Sequence, residues 1–262
     1  MIEARNIHFS YHRRAVLADA TLALGPGELV CLLEANGVGK STLLKLMQGL
    51  LKPQRGNVTL DGKPLSAMRR RQLAKSIAYV PQVHAAPFPY TVREVALLGR
   101  LPANGVFRAP DAKDCAIVDS ALEHLAIAHL ARRPYTEISG GERQLALIAR
   151  ALVQEARFLV MDEPLAGLDY GHQVRLLARL KSLAAEGYGV LMTTHDPDQP
   201  LAGCQRVALL VDGRIIADGP PETALTPAAI HRLYGVQVDL LRTADNRGIA
   251  FRPKESGVAC LP

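Results

Sequence analysis

A short loop near the start of the chain carries residue types that bind a nucleotide polyphosphate. The apolar run Leu29–Leu33 leads into a glycine-containing loop that ends in Gly39, Lys40 and Ser41. A buried strand, such a loop and then a helix direct main-chain N–H groups and the positive end of the helix dipole at an anion. The lysine adds a point charge for the β and γ phosphates, and the serine hydroxyl supplies a ligand for Mg²⁺. The spacing therefore predicts the phosphate loop of a nucleotide hydrolase. Its predicted nucleotide contacts are Asn36, Gly37, Val38, Gly39, Lys40, Ser41 and Thr42.

One residue of this loop departs from the usual pattern. The pattern G-x-x-x-x-G-K-[ST] has its first glycine at the position of Glu34. If the carboxylate faces the bound phosphates, repulsion at an effective dielectric constant near 20 costs ~1–2 kcal/mol of nucleotide affinity. If the carboxylate points into solvent, it has little effect. The sequence leaves both orientations open.

Two further strand ends carry side chains suited to phosphate chemistry. Asp162 and Glu163 follow the apolar run FLVM, and His195 follows the run GVLMTT. The carboxyl ends of parallel strands border the crevice where such sheets bind ligands. We expect Asp162 to hold Mg²⁺ and Glu163 to act as general base, which contributes ~10²–10⁴ in rate. We expect His195 to hydrogen-bond the γ phosphate. The alternative is that the acidic pair only caps a following helix and that the histidine is structural.

Alternating strands and helices must position these groups. The runs LVCLL, IAYV, FLVM and GVLMTT are short and unbroken, as expected for strands that are buried on both faces. Helical patterns separate them, so the sequence predicts an α/β fold with a mainly parallel sheet. The segments NIHFSY and TLALGPGELV predict short antiparallel strands near the N-terminus, and a small hairpin is expected around residues 246–248.

The middle of the chain has a different pattern. From about residue 87 to residue 154, VREVALLG, CAIVDSALEHLAIAHL and ERQLALIARALV each carry an apolar stripe, and no strand pattern is evident. We expect a helical subdomain inserted between the second and third core strands. The predicted organisation is one domain over residues 1–262. Its core spans about 1–86 and 155–236, its helical subdomain about 87–154, and a short C-terminal extension about 237–262.

Composition excludes several other classes of protein. Hydrophobic residues make up 48% of the 262 residues and charged residues 21%, which is typical of a globular domain rather than a disordered chain. No apolar run approaches the roughly 18 residues of a membrane helix, and no secretory signal is expected. The net charge of +6 is dispersed apart from Arg69–Arg71, so no nucleic-acid partner is expected. The four cysteines are far apart in sequence and favour a reduced, cytoplasmic setting.

A second motif identifies a family that the chain resembles. The segment ISGGERQ ends at Gln144, 18 residues before Asp162. The phosphate loop, Gln82 in YVPQ, this segment, the acidic pair and His195 follow one another in the chain. In this order they resemble the motifs of the ATP-binding subunit of ABC transporters, and the resemblance covers nearly the whole chain. It implies ATP and Mg²⁺ as cofactors, and a homodimer that closes around two ATP molecules. It also implies an integral-membrane permease as partner, with the chain held peripherally on the cytoplasmic face of the inner membrane.

The resemblance also implies roles for further residues. Tyr11 in FSYHRRAVL matches the aromatic residue that stacks on adenine. Gln82 matches the glutamine that contacts Mg²⁺ and the attacking water and that senses the membrane partner. The signature in ISGGERQ matches the segment that binds the γ phosphate of ATP held by the opposite subunit, where main-chain N–H groups at a helix start face an anion. Asp169 in LAGLD matches the loop that communicates across the dimer. The predicted ATP contacts of the second half of the chain are Ser139, Gly140, Gly141, Glu142 and Asp169.

The chain also departs from the family pattern at the loop before Asp169. Leu165 and Ala166 stand where the family usually has Thr-Ser, and the hydroxyl lost at Ala166 would weaken communication between the two ATP sites. Together with Glu34, this departure leaves open a subunit that binds nucleotide but hydrolyses it poorly.

Three segments carry the resemblance further, towards importers of metal chelates. They are PFPYTVREVALLGR, TTHDPDQ and LYGVQV. Our first expectation for the cargo is an iron–siderophore complex or haem, delivered to the permease by a substrate-binding protein. Cobalamin, molybdate or an export function are the alternatives. A soluble factor in translation or DNA repair is disfavoured, because the chain has room for one ATPase unit and shows no sustained heptads.

Overall fold

Strands and helices alternate along the chain, and the computed structural model describes residues 1–34, 39–82, 89–104, 108–242 and 249–254. The strands are β1 (Ile2–Tyr11), β2 (Arg14–Leu24), β3 (Leu29–Leu33), β4 (Arg55–Leu60), β5 (Lys63–Pro64), β6 (Ile77–Val80), β7 (Phe158–Met161), β8 (Gly189–Thr194), β9 (Arg206–Val211), β10 (Arg214–Gly219), β11 (Val238–Arg242) and β12 (Ile249–Pro253). The helices are α1 (Lys40–Met47), α2 (Arg70–Ala74), α3 (Val92–Leu97), α4 (Leu101–Asn104), α5 (Ala112–His124), α6 (Gly140–Val153), α7 (Tyr170–Ala185), α8 (Asp198–Gly203), α9 (Pro221–Ala224) and α10 (Pro227–Tyr234).

A six-stranded sheet has the strand order β10-β9-β3-β8-β7-β6 within the described residues. Its neighbouring strands are parallel except for β9 and β10, which pair in antiparallel fashion. The runs LVCLL, IAYV, FLVM and GVLMTT form β3, β6, β7 and β8, so the predicted mainly parallel sheet is confirmed. β9 and β10 lie outside the predicted strands.

The N-terminal strands form a second, antiparallel sheet with the order β2-β1-β4-β5. This confirms the antiparallel N-terminal part, but the expectation of short strands was wrong. β1 has 10 residues and β2 has 11. The pairing of β1 with β2 shifts register between Ala4 and Ile7. The shift interrupts the alternation of buried side chains at Arg5 and Asn6, which are both exposed, so the sequence of β1 shows two short alternating segments instead of one long one.

Strand β3 separates two apolar cores. Leu29, Cys31 and Leu33 belong to the core that includes residues of α3, α5, α6 and α7. Val30 and Leu32 belong to the other core, with α1 and the antiparallel sheet. All five residues are 0% exposed, and a strand with two buried faces needs an unbroken apolar sequence. These two cores hold the end of β3, and therefore the start of the phosphate loop, firmly in the fold.

The described residues between β6 and β7 are mainly helical and include α3 to α6. Within 89–104 and 108–157, the only β pairing is an isolated bridge between Thr91 and Pro134. Thr91, Asp111 and Ser139 each cap a helix by accepting a hydrogen bond from a main-chain N–H three residues further on. The helices lie where the sequence predicts them, between IAYV and FLVM. The predicted beginning of this part, residues 87–88, lies outside the described residues.

The C-terminal part packs against the core beside the parallel sheet and includes a further pair of strands. Helix α10 stops at Gly235, whose φ of +72° is the left-handed conformation that glycine tolerates at a helix end. β11 and β12 then pair in antiparallel fashion, with Val238 opposite Pro253. The predicted turn at residues 246–248 lies outside the described residues. In the part of the chain that the structure describes, no helix is long and apolar enough to cross a membrane.

Candidate active site

Three neighbouring strands bring the predicted residues to one edge of the parallel sheet. β8 lies between β3 and β7, with Thr194 paired to Leu33 and Met192 paired to Met161. Because the three strands run in the same direction, the residues that follow them emerge side by side. Those residues are Glu34, Asp162, Glu163 and His195.

The carboxylate of Glu163 is the centre of a polar cluster at this edge. The Lys40 ammonium donates to Oε1 at 3.0 Å, and the Gln82 amide donates to Oε2 at 3.1 Å. Nδ1 of His195 lies 3.2 Å from the same Oε2. The Lys40 and Glu163 side chains are only 8% and 14% exposed, so their ion pair is screened less than a surface pair. The structure thus brings together the three residues predicted to be catalytic and the lysine of the phosphate loop.

Asp162 points to a different set of partners. Its Oδ2 accepts hydrogen bonds from the Ser41 hydroxyl at 3.2 Å and from the Tyr79 hydroxyl at 3.4 Å. Burial, together with the nearby Asp162 carboxylate, raises the pKa of Tyr79 to about 12. A serine hydroxyl beside a carboxylate is a hard oxygen donor set of the kind that Mg²⁺ takes when phosphates supply other ligands. Ser41 and Asp162 therefore fit the predicted metal role by chemistry and position, whereas the side chain of Gln82, the third predicted metal ligand, contacts Glu163.

Thr193 is a site residue that the sequence analysis missed. Its hydroxyl donates to Oδ1 of Asp162 at 2.8 Å and accepts the main-chain N–H of Glu163, also at 2.8 Å. Glu163 has a φ of +44°, a left-handed conformation that is unusual for a residue with a side chain. Thr193 is completely buried. One hydroxyl therefore fixes both members of the acidic pair, including the strained one.

A cavity of about 360 Å³ opens beside the start of α1. Its lining includes the predicted ATP contacts Tyr11, Gly39, Lys40, Ser41 and Thr42, together with Arg14 and Glu34. Tyr11 is 43% exposed, and its ring meets the ring of Phe9 edge-on, with centroids 4.9 Å apart. An exposed face of an aromatic ring in such a cavity is suited to stacking on a base. Asn36, Gly37 and Val38 lie outside the described residues.

Glu34 does not point into solvent, so that alternative was wrong. The residue is only 3% exposed, and its Oε2 accepts the main-chain N–H of Lys40 at 3.0 Å. The physical reason is the helix α1, which begins at Lys40 and offers N–H groups that have no partner within the helix. The carboxylate turns inward to the N-terminus of α1 rather than outward to water.

The signature residues form the start of helix α6 on another part of the surface. Ser139 and Gly140 are exposed, and Glu142 closes the first turn by accepting the main-chain N–H of Ser139 at 2.8 Å. These bonds hold the pKa of Glu142 below its ordinary value. A Cβ on Gly141 would lie 2.5 Å from the His172 ring, so only glycine lets the two helix starts approach.

Asp169 caps the neighbouring helix α7 beside this signature. Its Oδ1 accepts the main-chain N–H of His172 at 2.9 Å, and this bond together with the His172 side chain lowers the pKa of Asp169. The ring of His172 therefore contacts the signature on one side and Asp169 on the other. The structure brings Asp169 and the signature together, as two capped helix starts on one exposed surface.

Comparison with known proteins decides the family. The family model described as ABC transporter matches residues 17–166. The hemin import ATP-binding protein HmuV of Bordetella parapertussis is 40% identical over 252 residues, which cover 92% of this chain and 94% of the relative. The chain belongs to the ABC transporter family. An uncharacterised ABC transporter ATP-binding protein of Haemophilus influenzae is 36% identical, with 95% of each chain covered. Among solved structures, an inward-facing ABC transporter assigned to the metal-chelate type matches with a TM-score of 0.85 and 30% identity over 97% of each chain.

Membership of the family makes the chain the ATP-binding, ATP-hydrolysing subunit of an ABC transporter and confirms the resemblance stated from its motifs. The departure from the family pattern at Leu165 and Ala166 leaves the contacts of Glu163 intact. Leu165 is 1% exposed within the helical core, while Ala166 is exposed and its main-chain N–H donates to the Glu163 carbonyl at 3.1 Å. The side-chain partners of Glu163 remain in place. Neither these contacts nor the relatives favour the alternative of a subunit with impaired hydrolysis.

Proposed function

We propose that the chain hydrolyses Mg²⁺·ATP to drive an importer of haem or a related iron chelate. The observation that carries the chemistry is the carboxylate of Glu163, in contact with Lys40, Gln82 and His195. When ATP enters the cavity, the Lys40 ammonium transfers from Glu163 to the β and γ phosphates. Glu163 is then free to accept the proton of the attacking water, and His195 donates to the γ phosphate.

The metal role falls to Ser41, Asp162 and Gln82. Mg²⁺ held at these residues would supply positive charge to offset the negative charge of the β and γ phosphates. The Ser41 hydroxyl and an Asp162 carboxylate oxygen are its protein ligands, either directly or through water, and Thr193 keeps Asp162 oriented towards them. The Gln82 amide donates to the Glu163 carboxylate at 3.1 Å, so Gln82 would be placed to contact both the metal and the attacking water.

Two copies of the chain would complete the ATP sites. Ser139 and Gly140 are exposed at the N-terminus of α6, and their hydrogen bonds are local. Helix N-termini favour anions, so the signature of one copy is suited to the γ phosphate of ATP held by Lys40 of the other. Asp169 lies beside the signature and would sense whether the second site is filled.

An integral-membrane permease is the partner that turns hydrolysis into transport. Tyr90, Leu98 and Leu101 are large apolar side chains that are 41%, 38% and 43% exposed, and they flank α3 and the turn after it. Exposed apolar side chains around one helix are suited to contact with a protein partner. We place the chain on the cytoplasmic face of the membrane, with a substrate-binding protein delivering cargo to the permease.

The cargo is inferred from the relatives, because the ATP site does not contact it. The HmuV proteins named for hemin import support haem, and the metal-chelate transporter structure supports the wider class. The test uses cells of the source organism that lack this chain, complemented by wild type or by Lys40→Ala as the inactive control. We expect loss of growth on haemin as sole iron source, restored only by wild type.

The same cells are grown with a ferric siderophore, with limiting cobalamin and with limiting molybdate. Unchanged growth on haemin with a defect on one of the others would overturn haem as the cargo and identify the replacement. Restoration by Lys40→Ala would overturn ATP hydrolysis as the driving step.

A further inference from the structure

The side chain of Glu34 lies where a nucleotide phosphate is expected. It follows β3, lines the cavity beside α1, and is 3% exposed. Its Oε2 accepts the main-chain N–H of Lys40 at 3.0 Å. That N–H is the first of helix α1, and in a phosphate loop the N–H groups at the helix start are the donors to the phosphate.

We propose that the Glu34 carboxylate is a built-in anion that occupies the Lys40 N–H at the start of α1, here called the phosphate cradle, until ATP displaces it. The proposal rests on the proposed ATP site and adds that Glu34 lowers the affinity of this site for ATP. A carboxylate and a phosphate oxygen compete for the same donor, and both are favoured by the same helix dipole. Because two anions this close repel each other in a partly buried site, Glu34 must leave the Lys40 N–H when the phosphate arrives.

The contacts of Lys40 show how its polar groups are satisfied without nucleotide. Its ammonium donates to Glu163 at 3.0 Å and also reaches the main-chain oxygens of Thr194 at 3.4 Å and Glu34 at 3.5 Å. The main-chain N–H and the ammonium of Lys40 are thus both satisfied by carboxylates of the chain itself. Both contacts must be exchanged for phosphate contacts, but only the Glu34 contact involves a residue with no assigned role in hydrolysis.

The proposal predicts opposite effects of Glu34 on the free and the ATP-bound protein. Glu34→Gly restores the usual pattern of the loop, and Glu34→Gln keeps the side-chain shape while removing the charge. We expect both variants to bind a non-hydrolysable ATP analogue about tenfold more tightly, which corresponds to about 1.4 kcal/mol. We also expect a lower melting temperature without ligand, because the helix start loses its anion.

Isothermal titration with the analogue and thermal melts with pyrophosphate measure these effects. Pyrophosphate should raise the melting temperature of Glu34→Gly more than that of wild type, because in the variant no carboxylate competes with it for the Lys40 N–H. Glu123→Gln is the matched control: it removes one negative charge from an exposed position on α5 and should change neither measurement.

Three outcomes would overturn the proposal. Equal affinities in wild type and both variants mean that Glu34 does not compete with phosphate. Weaker binding in both variants means that Glu34 assists ATP binding. Weaker binding only when Mg²⁺ is present means that Glu34 is a metal ligand. If neither wild type nor the variants bind the analogue, it is the proposed ATP site itself that fails, and the two failures are therefore distinguishable.

Discussion

The hydroxyl of Thr193 is the contact through which the site can be tested most directly. Thr193→Val keeps the shape of the buried side chain but removes its oxygen. The change leaves the main-chain N–H of Glu163 without the acceptor that lies 2.8 Å away, and it takes from Asp162 a donor at the same distance. Asp162 retains Ser41 and Tyr79 as partners, so its loss is the smaller of the two.

The expected magnitudes follow from these two bonds. A buried polar group that loses its partner costs about 1–3 kcal/mol, so we expect the free energy of unfolding to fall by about 2–3 kcal/mol. Glu163 also loses a restraint on its left-handed backbone. Since a displacement of about 1 Å in a catalytic group can cost about 10²-fold in rate, we expect kcat for ATP to fall about 10- to 100-fold. The KM for ATP should change less than about threefold.

Steady-state ATP hydrolysis and urea unfolding are measured on the same preparations. The control is Thr21→Val, because the Thr21 hydroxyl also accepts a main-chain N–H, that of Asn6 at 2.9 Å, but lies in the N-terminal sheet. It should lose at most about 1 kcal/mol of stability and keep its kcat. A Thr193→Val protein that loses stability but retains kcat would refute the inference that this hydroxyl positions Glu163.

Two further predictions concern the same cluster. Tyr234→Phe removes the hydroxyl that donates to the His195 carbonyl at 2.7 Å. We expect kcat to fall about 3- to 10-fold, an effect of about 1 kcal/mol, with the KM for ATP unchanged; an equal fall in thermal stability alone would argue for a structural role. Glu163→Gln keeps the shape of the proposed general base but cannot accept the proton, so ATP should bind and trap a dimer visible by size-exclusion chromatography, with turnover at least about 100-fold lower. Glu123→Gln should form no such dimer, and turnover by Glu163→Gln within a few-fold of wild type would contradict the assignment.

Part of the fold could be predicted because a strand that is buried on both faces has an unbroken apolar sequence. LVCLL is apolar at five successive positions, and both faces of β3 are buried. β9 and β10 were missed although a signal was available. They are joined at Asp212-Gly213, with φ of +49° and +74°, and Asp-Gly between apolar runs is a strong hairpin signal. The same signal at Asp61-Gly62 marks the turn between β4 and β5.

The site was predictable where the chemistry lies in the residue type. The motifs that contain Lys40, Glu163 and His195 follow strands and have characteristic spacings. The sequence alone therefore predicted that these three residues share one site. Thr193 was not predictable in this way, since a threonine near the end of an apolar run is ordinary in a strand. Its role depends on the parallel register of β7 and β8, which places Met192 beside Met161 and therefore Thr193 beside Asp162. Pairing register is a property of the whole sheet, and no local pattern encodes it.

The different contacts of Asp162 and Glu163 could not be predicted from their residue types. Asp162 and Glu163 are adjacent, yet one carboxylate contacts the Ser41 hydroxyl and the other contacts the Lys40 ammonium. Glu163, whose carboxylate has different partners from that of Asp162, has a left-handed backbone with φ +44°. For a residue with a side chain this conformation costs about 1–2 kcal/mol. The hydrogen bond from the Glu163 N–H to Thr193 offsets part of that cost, and the Lys40 ion pair holds the side chain in its place. Strain of this kind persists where surrounding contacts over-determine a residue. The two consecutive residues can therefore take the separate roles proposed for them, metal ligand and general base, while one buried hydroxyl of the neighbouring strand contacts both.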